Sequence, residues 1–421
     1  MTTVHVLGVG SVGSLLAYHL RTEAKRPVQL ILRQARYARN LQSEEGTSVT
    51  LTQYGVEHEA RGCGAEWLAP MTENWQARPQ KSARQLLASS ALTAPIESLV
   101  VAAKSHHVIP ALNMLKHRLN TESTVVFCQN GYGLIDQVSQ QVFEDVNKRP
   151  SFVTATTTHG IFRKPSNSGL GAVWSAQGDL QFAALPSKPC REAMNQQGPP
   201  TDLLQSNPLA DLTDTTQPTL EHLPAVPACA SLRSTLQALL ACHSLQPTWL
   251  AYPLLRNKQL QKVVINVCIN SLTALLDVKN GKLLLSQQYR PLIAKVCQEC
   301  EAIFRAQGLV PAGVLEHPLA APALFDRVIA VTETTAQNVS STLADLRGGA
   351  EQTELGAMNG YFSRVGRSLG VATPSIDMLA QLVQLRLDII HSHKRSGASQ
   401  GRGKKQGHRH SSGTAHKHEQ D

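Results

Sequence analysis

What the chain lacks narrows its class first. No uninterrupted apolar run reaches the length needed to span a bilayer, so no membrane partner is expected. Met1 leads almost directly into a β-type run, which leaves no room for a secretory leader or an Arg-rich transit peptide. A cytoplasmic location is the expectation, with a mitochondrial one as runner-up. Paired cysteine motifs are scarce. Of eight cysteines only Cys297-Gln-Glu-Cys300 has redox or zinc spacing, and no second cysteine pair or histidine pair accompanies it. Reduced core thiols and no metal site are expected. Aromatics are few at 5%, and none interleave with the basic residues near the C-terminus as a base-stacking surface would require.

Charge is uneven rather than scarce. Residues 391–421 hold seven Lys or Arg against Glu419 and Asp421, which is +5 of the net +9. Rich in Gly, Ser, Lys and His, residues 393–421 read as a disordered basic tail. A solvated extension is the simpler reading. Weak, salt-sensitive nucleic-acid contact is the lesser one.

A glycine-rich turn comes at the start of the chain. Thr3 to Leu7 is strand-like, Gly8-Val9-Gly10-Ser11-Val12-Gly13 follows, and Ser14 to Leu20 is helix-like. Strand, glycine turn and helix are the order of a dinucleotide site, with the pyrophosphate on the helix N-terminus. The next strand, Val28 to Leu32, ends at Arg33 with Arg36 nearby and no carboxylate. A guanidinium there suits a 2′-phosphate, so NADP(H) is expected over NAD(H); a solvated surface arginine is the alternative. Two further strands end at Lys104 and at Gln129-Asn130-Gly131. In an open parallel sheet such ends face the ligand, although each residue could be an ordinary surface or turn group.

Residues 1–185 therefore read as a Rossmann-type α/β domain with an irregular insertion over about 61–90. Residues 186–228, rich in Pro, Gln, Asn and Thr, read as an insert or linker. Residues 229–392 have helical periodicity, with helices expected over Tyr252–Leu276, Ser286–Gln307, Ala320–Asp345 and Ile376–His391. The fold class is an N-terminal dinucleotide-binding α/β domain plus an all-α C-terminal domain, with the active site expected in a cleft between them.

In the helical half, Lys262, Asn266 and Asn270 fall at i, i+4 and i+8 among apolar residues, and Asn280 follows. One cation and two amides on one side of a mostly buried helix are costly unless polar groups meet them. Structural hydrogen bonds at a helix contact are one explanation, and a ligand is the other.

These residues resemble the ketopantoate reductase (2-dehydropantoate 2-reductase) family. The likeness runs through the glycine turn, Arg33, Lys104, Gln129 to Gly133, Thr156 to His159, Lys262 to Leu275, Lys279-Asn280-Gly281, Asn338 to Asp345 and Thr353 to Gly360. It implies NADPH-dependent reduction of 2-dehydropantoate to pantoate in pantothenate and coenzyme A synthesis. By the resemblance Lys262 is the general acid, and Asn266, Asn270, Asn280 and Ser341 hold the substrate. Glu354 contacts the cofactor and sets the Lys262 site. Gly8, Val9, Gly10, Ser11, Val12, Gly13, Arg33, Lys104, Asn130 and Ile161 surround the cofactor. Three departures stand out. There are insertions near 61–90 and 186–245. One extra residue lies between Ser341 and Glu354, which makes Glu351 a competitor for the carboxylate role. Ser271 stands where many members have proline. The rival readings are a reductase of another 2-keto acid and a non-catalytic relative that binds RNA through its tail. A homodimer is left open.

Overall fold

The computed structural model describes residues 1–32, 47–68, 94–164, 170–197, 218–314 and 316–406. Arg33, Arg36 and most of the 61–90 segment lie outside the described residues, as does everything after 406. The chain divides into two compact units, Met1–Val263 with Gly308–Val314, and Val264–Gln307 with Leu315–Asp421.

The first unit runs β1 (Val4–Leu7), α1 (Ser11–Thr22), β2 (Val28–Leu32), β3 (Thr47–Gln53), β4 (Val56–Trp67), β5 (Ser98–Val101) and α2 (Ser105–Leu115). It continues with β6 (Thr124–Phe127), α3 (Leu134–Gln141), β7 (Ser151–Thr157), β8 (Gly160–Arg163), β9 (Gly171–Ala176) and β10 (Leu180–Leu185). It closes with α4 (Lys188–Gln197), α5 (Pro227–Leu240), β11 (Pro247–Trp249) and the first half of α6 (Tyr252–Leu276). Eleven described strands join in the order β11-β10-β7-β6-β5-β1-β2-β4-β3-β9-β8.

The middle of the sheet is parallel. β1 pairs with β2 on one side and β5 on the other, Val4 meeting Val28 and Ser98. The strand order reverses at β1, the switch point where an open α/β sheet binds its ligand, and α1 begins just beyond it. Strands covered on both faces need apolar side chains on both. Val4, Val6, Leu30, Val100 and Val126 pack with α1 and α5 on one face. Leu7, Ile31, Leu99, Val101 and Phe127 pack with Val108, Leu112 and Val138 of α2 and α3 on the other.

Several sequence expectations change here. Residues 186–228 are not one linker, because α4 occupies Lys188–Gln197 and only 198–217 lies outside the described residues. The boundary near 229 moves. α5 buries Leu232, Leu236 and Leu239 in the sheet core, and hydroxyl pairs Thr235–Ser98 (3.0 Å) and Ser231–Thr124 (2.9 Å) fix it to β5 and β6. Its helical periodicity was read correctly, but periodicity does not say which layer a helix covers. Residues 61–67 extend β4 instead of opening an irregular insertion, since β2 supplies a pairing edge for them. Cys190 of α4 and Cys229 of α5 are joined as a disulfide, contrary to the expectation of eight reduced thiols. A separation of 39 residues carries no sequence signal of that pairing. Among the described residues α6 alone is long and apolar enough by composition to cross a membrane; 67% of its most apolar window is buried inside the protein, as in a core helix.

The second unit is helical. It holds the end of α6, then α7 (Tyr289–Ala306), α8 (Ala321–Thr334), α9 (Ser341–Arg347), α10 (Asn359–Leu369) and α11 (Pro374–Gln406). The single helix expected over Ala320–Asp345 is two. α8 stops at Thr334, residues 335–340 form a turn and an extended step, and Ser340 then starts α9 anew as an N-cap whose side chain accepts the Leu343 N–H. α11 opens with Pro374 at its first position, where proline is tolerated, and its backbone continues helical to Gln406. It thus runs through the first part of the segment expected to be disordered from 393, because no proline interrupts it there. Ala274, Leu346, Val383 and Leu387 form one of this unit's cores.

Candidate active site

The glycine turn has a separate steric reason at each glycine. Gly8 has φ +89°, and a Cβ there would lie 2.4 Å from the Ala103 backbone nitrogen. A Cβ on Gly13 would lie 2.1 Å from the Gly8 carbonyl oxygen. Gly10 differs, because a Cβ would meet nothing within 4 Å. Its backbone faces open space while capping α1 with no side-chain hydrogen bond, and no acidic residue stands in the first turn. The free N–H groups and positive end of α1 are therefore available to an anion, and these residues fit a dinucleotide pyrophosphate. Ser11 begins α1, and Val9 and Val12 pack partly buried against the sheet core. Ile161, on β8, is half-buried against that same core.

Lys104 is exposed at the start of α2. Asn130 is half-buried in the turn from β6 to α3, which Gly131 (φ +98°) and Gly133 (φ +81°) bend. Gln129 holds this turn in place. Its Nε2 donates to the carbonyls of Val101 (2.6 Å) and Ala103 (3.2 Å), tying the ends of β5 and β6 together. A concavity of about 450 Å³ opens here, lined by Asn130, Gly133, Asp136, Thr154, Tyr252 and Gln259. The Tyr132 and Tyr252 hydroxyls meet at 3.3 Å beside it. Burial raises the Tyr252 hydroxyl above its ordinary value, so it stays protonated.

Lys262 stands on α6 one turn after Gln259. The Gln259 amide donates to Thr154 Oγ1 at 2.8 Å, and Lys262 Nζ donates to the Thr157 carbonyl at 2.8 Å and Thr156 Oγ1 at 3.3 Å. Two side chains one turn apart on α6 thus grip the end of β7. Thr156 and Thr157 line a smaller cavity, about 250 Å³, whose wall includes Val12, Cys128 and His159. Cys128 is not a nucleophile, because burial pushes its thiol up to about 12. His159 is not the proton donor. Its Nδ1 accepts the Gly178 N–H (2.8 Å), Nε2 faces the Leu245 carbonyl (3.1 Å), and burial lowers its pKa, so the ring is held neutral.

The second unit carries the other predicted residues. Asn266 is half-buried on α6. Asn270 is buried, and its amide donates to Ser341 Oγ at 3.2 Å, so these two predicted residues come together. Ser341 is exposed in the first turn of α9. Asn280 is buried and donates to Thr335 Oγ1 at 2.9 Å, while its Oδ1 is left without a protein hydrogen bond. A buried unmatched amide oxygen fits a polar ligand. Gly281 beside it must be glycine, since a Cβ would lie 2.9 Å from the Ala336 Cα. Glu354 is 5% exposed and Glu351 is exposed, so only Glu354 has the buried setting of a working carboxylate. Ser271 donates to Asn359 Oδ1 at 3.3 Å, a structural bond that a proline could not make.

Sequence reasoning missed Gln129, Gln259, Thr154 and the Tyr132–Tyr252 pair as site supports. None of them left a sequence signal: Gln259 sits among other polar residues at the start of the same helix, Arg256, Asn257, Lys258 and Gln261. Among the described residues no three His, Cys, Asp or Glu side chains gather as a metal site.

Comparison with known proteins agrees with this layout. The family model described as ketopantoate reductase PanE/ApbA matches residues 4–187, and its C-terminal counterpart matches residues 254–386. A probable 2-dehydropantoate 2-reductase of Schizosaccharomyces pombe is 27% identical over 401 residues, covering 92% of this chain and 97% of its own. Among solved structures, D-mandelate dehydrogenase with NADH and anilino(oxo)acetate superposes with a TM-score of 0.65 at 16% identity, covering 93% of this chain and 99% of its own. A dimeric ketopantoate reductase from Staphylococcus aureus superposes with a TM-score of 0.56 at 14% identity, covering 92% and 99%. These two likenesses establish the fold, and the two matched family models establish the lineage: the chain belongs to the ketopantoate reductase family.

Proposed function

We propose that this protein reduces 2-dehydropantoate to pantoate with NADPH, using Lys262 as general acid. The observation that carries the reading is the grip of Lys262 on the end of β7, within the unit that holds the glycine turn. When bound, the reduced nicotinamide supplies a hydride to the ketone carbon. Charge then builds on the ketone oxygen, and a positioned ammonium stabilises it and delivers the proton. Lys262 is afterwards reprotonated from water. The bonds to Thr156 and Thr157 spend two of its three N–H donors on fixing the nitrogen, which lowers the cost of orientation in the transition state. Asn266, Asn270, Asn280 and Ser341 hold the substrate hydroxyl and carboxylate, since amides both donate and accept. Glu354 steadies the site as its buried carboxylate. Arg33 binds the 2′-phosphate, with Lys104, Asn130 and Ile161 along the cofactor. The protein works as a homodimer, like the relative from S. aureus described as dimeric.

The test is NADPH oxidation by purified protein with 2-dehydropantoate against a panel of other 2-keto acids. The expected result is the highest kcat/KM for 2-dehydropantoate and preference for NADPH over NADH. A higher kcat/KM for another keto acid would replace the substrate, and absence of turnover with every member would end the enzymatic reading.

A further inference from the structure

Gln259 and Lys262 stand on one side of α6, about 4.5 Å apart along its axis and about 60° apart around it. They hold different parts of β7. The Lys262 ammonium meets Thr156 and Thr157. These two residues pair with Gln181 and Leu180 of β10, but β6 has already ended at Phe127. Among the described strands they are therefore tied to the sheet on one side only. The Gln259 amide meets Thr154 Oγ1 at 2.8 Å and lies 3.5 Å from the Ala155 carbonyl oxygen. Thr154 pairs with Ala183 of β10 and with Phe127 of β6, so it is fixed on both sides. Gln259 registers α6 against the body of the sheet, while Lys262 reaches a strand end that runs past β6.

The two contacts also differ in what a proton transfer does to them. The bonds from the ammonium are charge-assisted, and they weaken to ordinary strength once Nζ gives up its proton. The Gln259 amide does not titrate. Gln259 and Thr154 are both buried, so water does not compete for their bond. A helix held at one point can still turn or slide about that point, and a second contact one turn away removes that freedom. The four rotatable bonds of a lysine take up small errors. A displacement of about 1 Å at the reacting group nevertheless costs about 10²-fold in rate.

We propose that Gln259, through its bond to Thr154, is a positioning residue for the reduction. This role rests on the general-acid reading of Lys262 given above. Gln259 fixes the phase of α6 against the sheet, so the ammonium is aimed before its proton leaves. The amine that remains is held in the same place until water reprotonates it. Gln259 exchanges no proton and acts through Lys262.

The experiment is NADPH oxidation with 2-dehydropantoate by the full chain. Gln259→Met, Thr154→Val and Thr154→Ser are made singly, and Gln259→Met is also made on Lys262→Ala. Methionine keeps the reach of glutamine without its donor, and valine keeps the shape of threonine without its hydroxyl. Gln259→Met and Thr154→Val should each lower kcat by about 10- to 100-fold, with the KM for the keto acid and the Kd for NADPH within about twofold of native. Either variant suffices where circular dichroism shows that the other has not folded. Thr154→Ser keeps the hydroxyl and should recover most of the rate. The alkaline fall of kcat should begin at lower pH in the two impaired variants, because an ammonium drawn from its acceptors loses bonds that favour its charged form. On Lys262→Ala, Gln259→Met should change the residual rate by less than about twofold, since the two act as a unit. Native kcat in both Gln259→Met and Thr154→Val overturns the positioning role and leaves Lys262 in place. So does a raised KM with kcat kept, which would make Gln259 a ligand contact. A loss as deep in Thr154→Ser as in Thr154→Val, or as deep on Lys262→Ala as on the native chain, overturns it in favour of packing. Full native turnover by Lys262→Ala itself refutes the general-acid reading, and the role of Gln259 falls with it.

Discussion

Replacing Gly10 or Gly13 by alanine separates what the glycine turn does for folding from what it does for binding. At Gly13 the added methyl would sit 2.1 Å from the Gly8 carbonyl oxygen, a backbone atom that cannot swing aside. α1 must then lift from β1, and overpacking of this kind costs about 1–3 kcal/mol. At Gly10 the φ of −86° suits alanine and the methyl meets nothing within 4 Å. Two small terms oppose each other there. Alanine is the poorer N-cap by several tenths of a kcal/mol, and the stiffer unfolded chain returns about 0.4–1 kcal/mol. The net change in stability should be close to zero, on the order of 0.5 kcal/mol either way. The methyl does, however, stand where a pyrophosphate would approach the helix N-terminus, and affinity for NADPH should fall by about 10- to 100-fold. Chemical denaturation without cofactor, paired with an NADPH titration, reads both effects. Gly10→Ala binding NADPH as tightly as the native protein, or Gly13→Ala unfolding at the native midpoint, would refute the steric argument.

Lys262→Ala should lower kcat by about 10²- to 10⁴-fold while NADPH affinity changes little, and full native turnover would remove Lys262 from the chemistry. Glu354→Gln should depress kcat/KM strongly and Glu351→Gln should not, because only Glu354 is buried; steady-state kinetics that reverse this order would move the carboxylate role to Glu351. His5 gives a pH dependence. Burial, aided by the Arg118 cation, lowers its pKa from 6.5 to about 4. As pH falls below 6.5 the unfolded chain takes up a proton that the folded chain refuses, so stability drops through the window down to about 4. By pH 5 the loss is about 2 kcal/mol, and His5→Gln should remove that slope in denaturation curves recorded between pH 7 and 5. Identical slopes for both proteins would show that His5 is not responsible.

Much of this molecule could be read in the sequence, and the failures have physical causes. β1, β2, β5 and β6 were legible because parallel strands buried on both faces are nearly continuous runs of Val, Leu and Ile. The glycine turn was legible because few other residues tolerate its geometry. Lys262 and the asparagines stood out because polar groups on an apolar helix are expensive. The membership of α5 in the sheet unit was hidden, since an amphipathic helix packs equally well on a sheet or on helices. The break between Thr334 and Ser341 was hidden for another reason. α9 restarts where the Ser340 side chain accepts the Leu343 N–H, a contact that apolar periodicity does not encode. Gln129 and Gln259 were silent because their value lies in partners far away in the chain, at Val101, Ala103 and Thr154.

The sulfur bridge between α4 and α5 has a practical result. It encloses residues 198–217 in a covalent ring that begins inside α4 at Cys190 and closes in the first turn of α5 at Cys229. A protease cut anywhere inside that ring leaves the polypeptide as one molecule, with Cys190 still bound to Cys229. The two fragments would part on a denaturing gel only after a reductant is added. Variation in that stretch, in length or composition, is thereby uncoupled from the anchoring of the helices on either side of it.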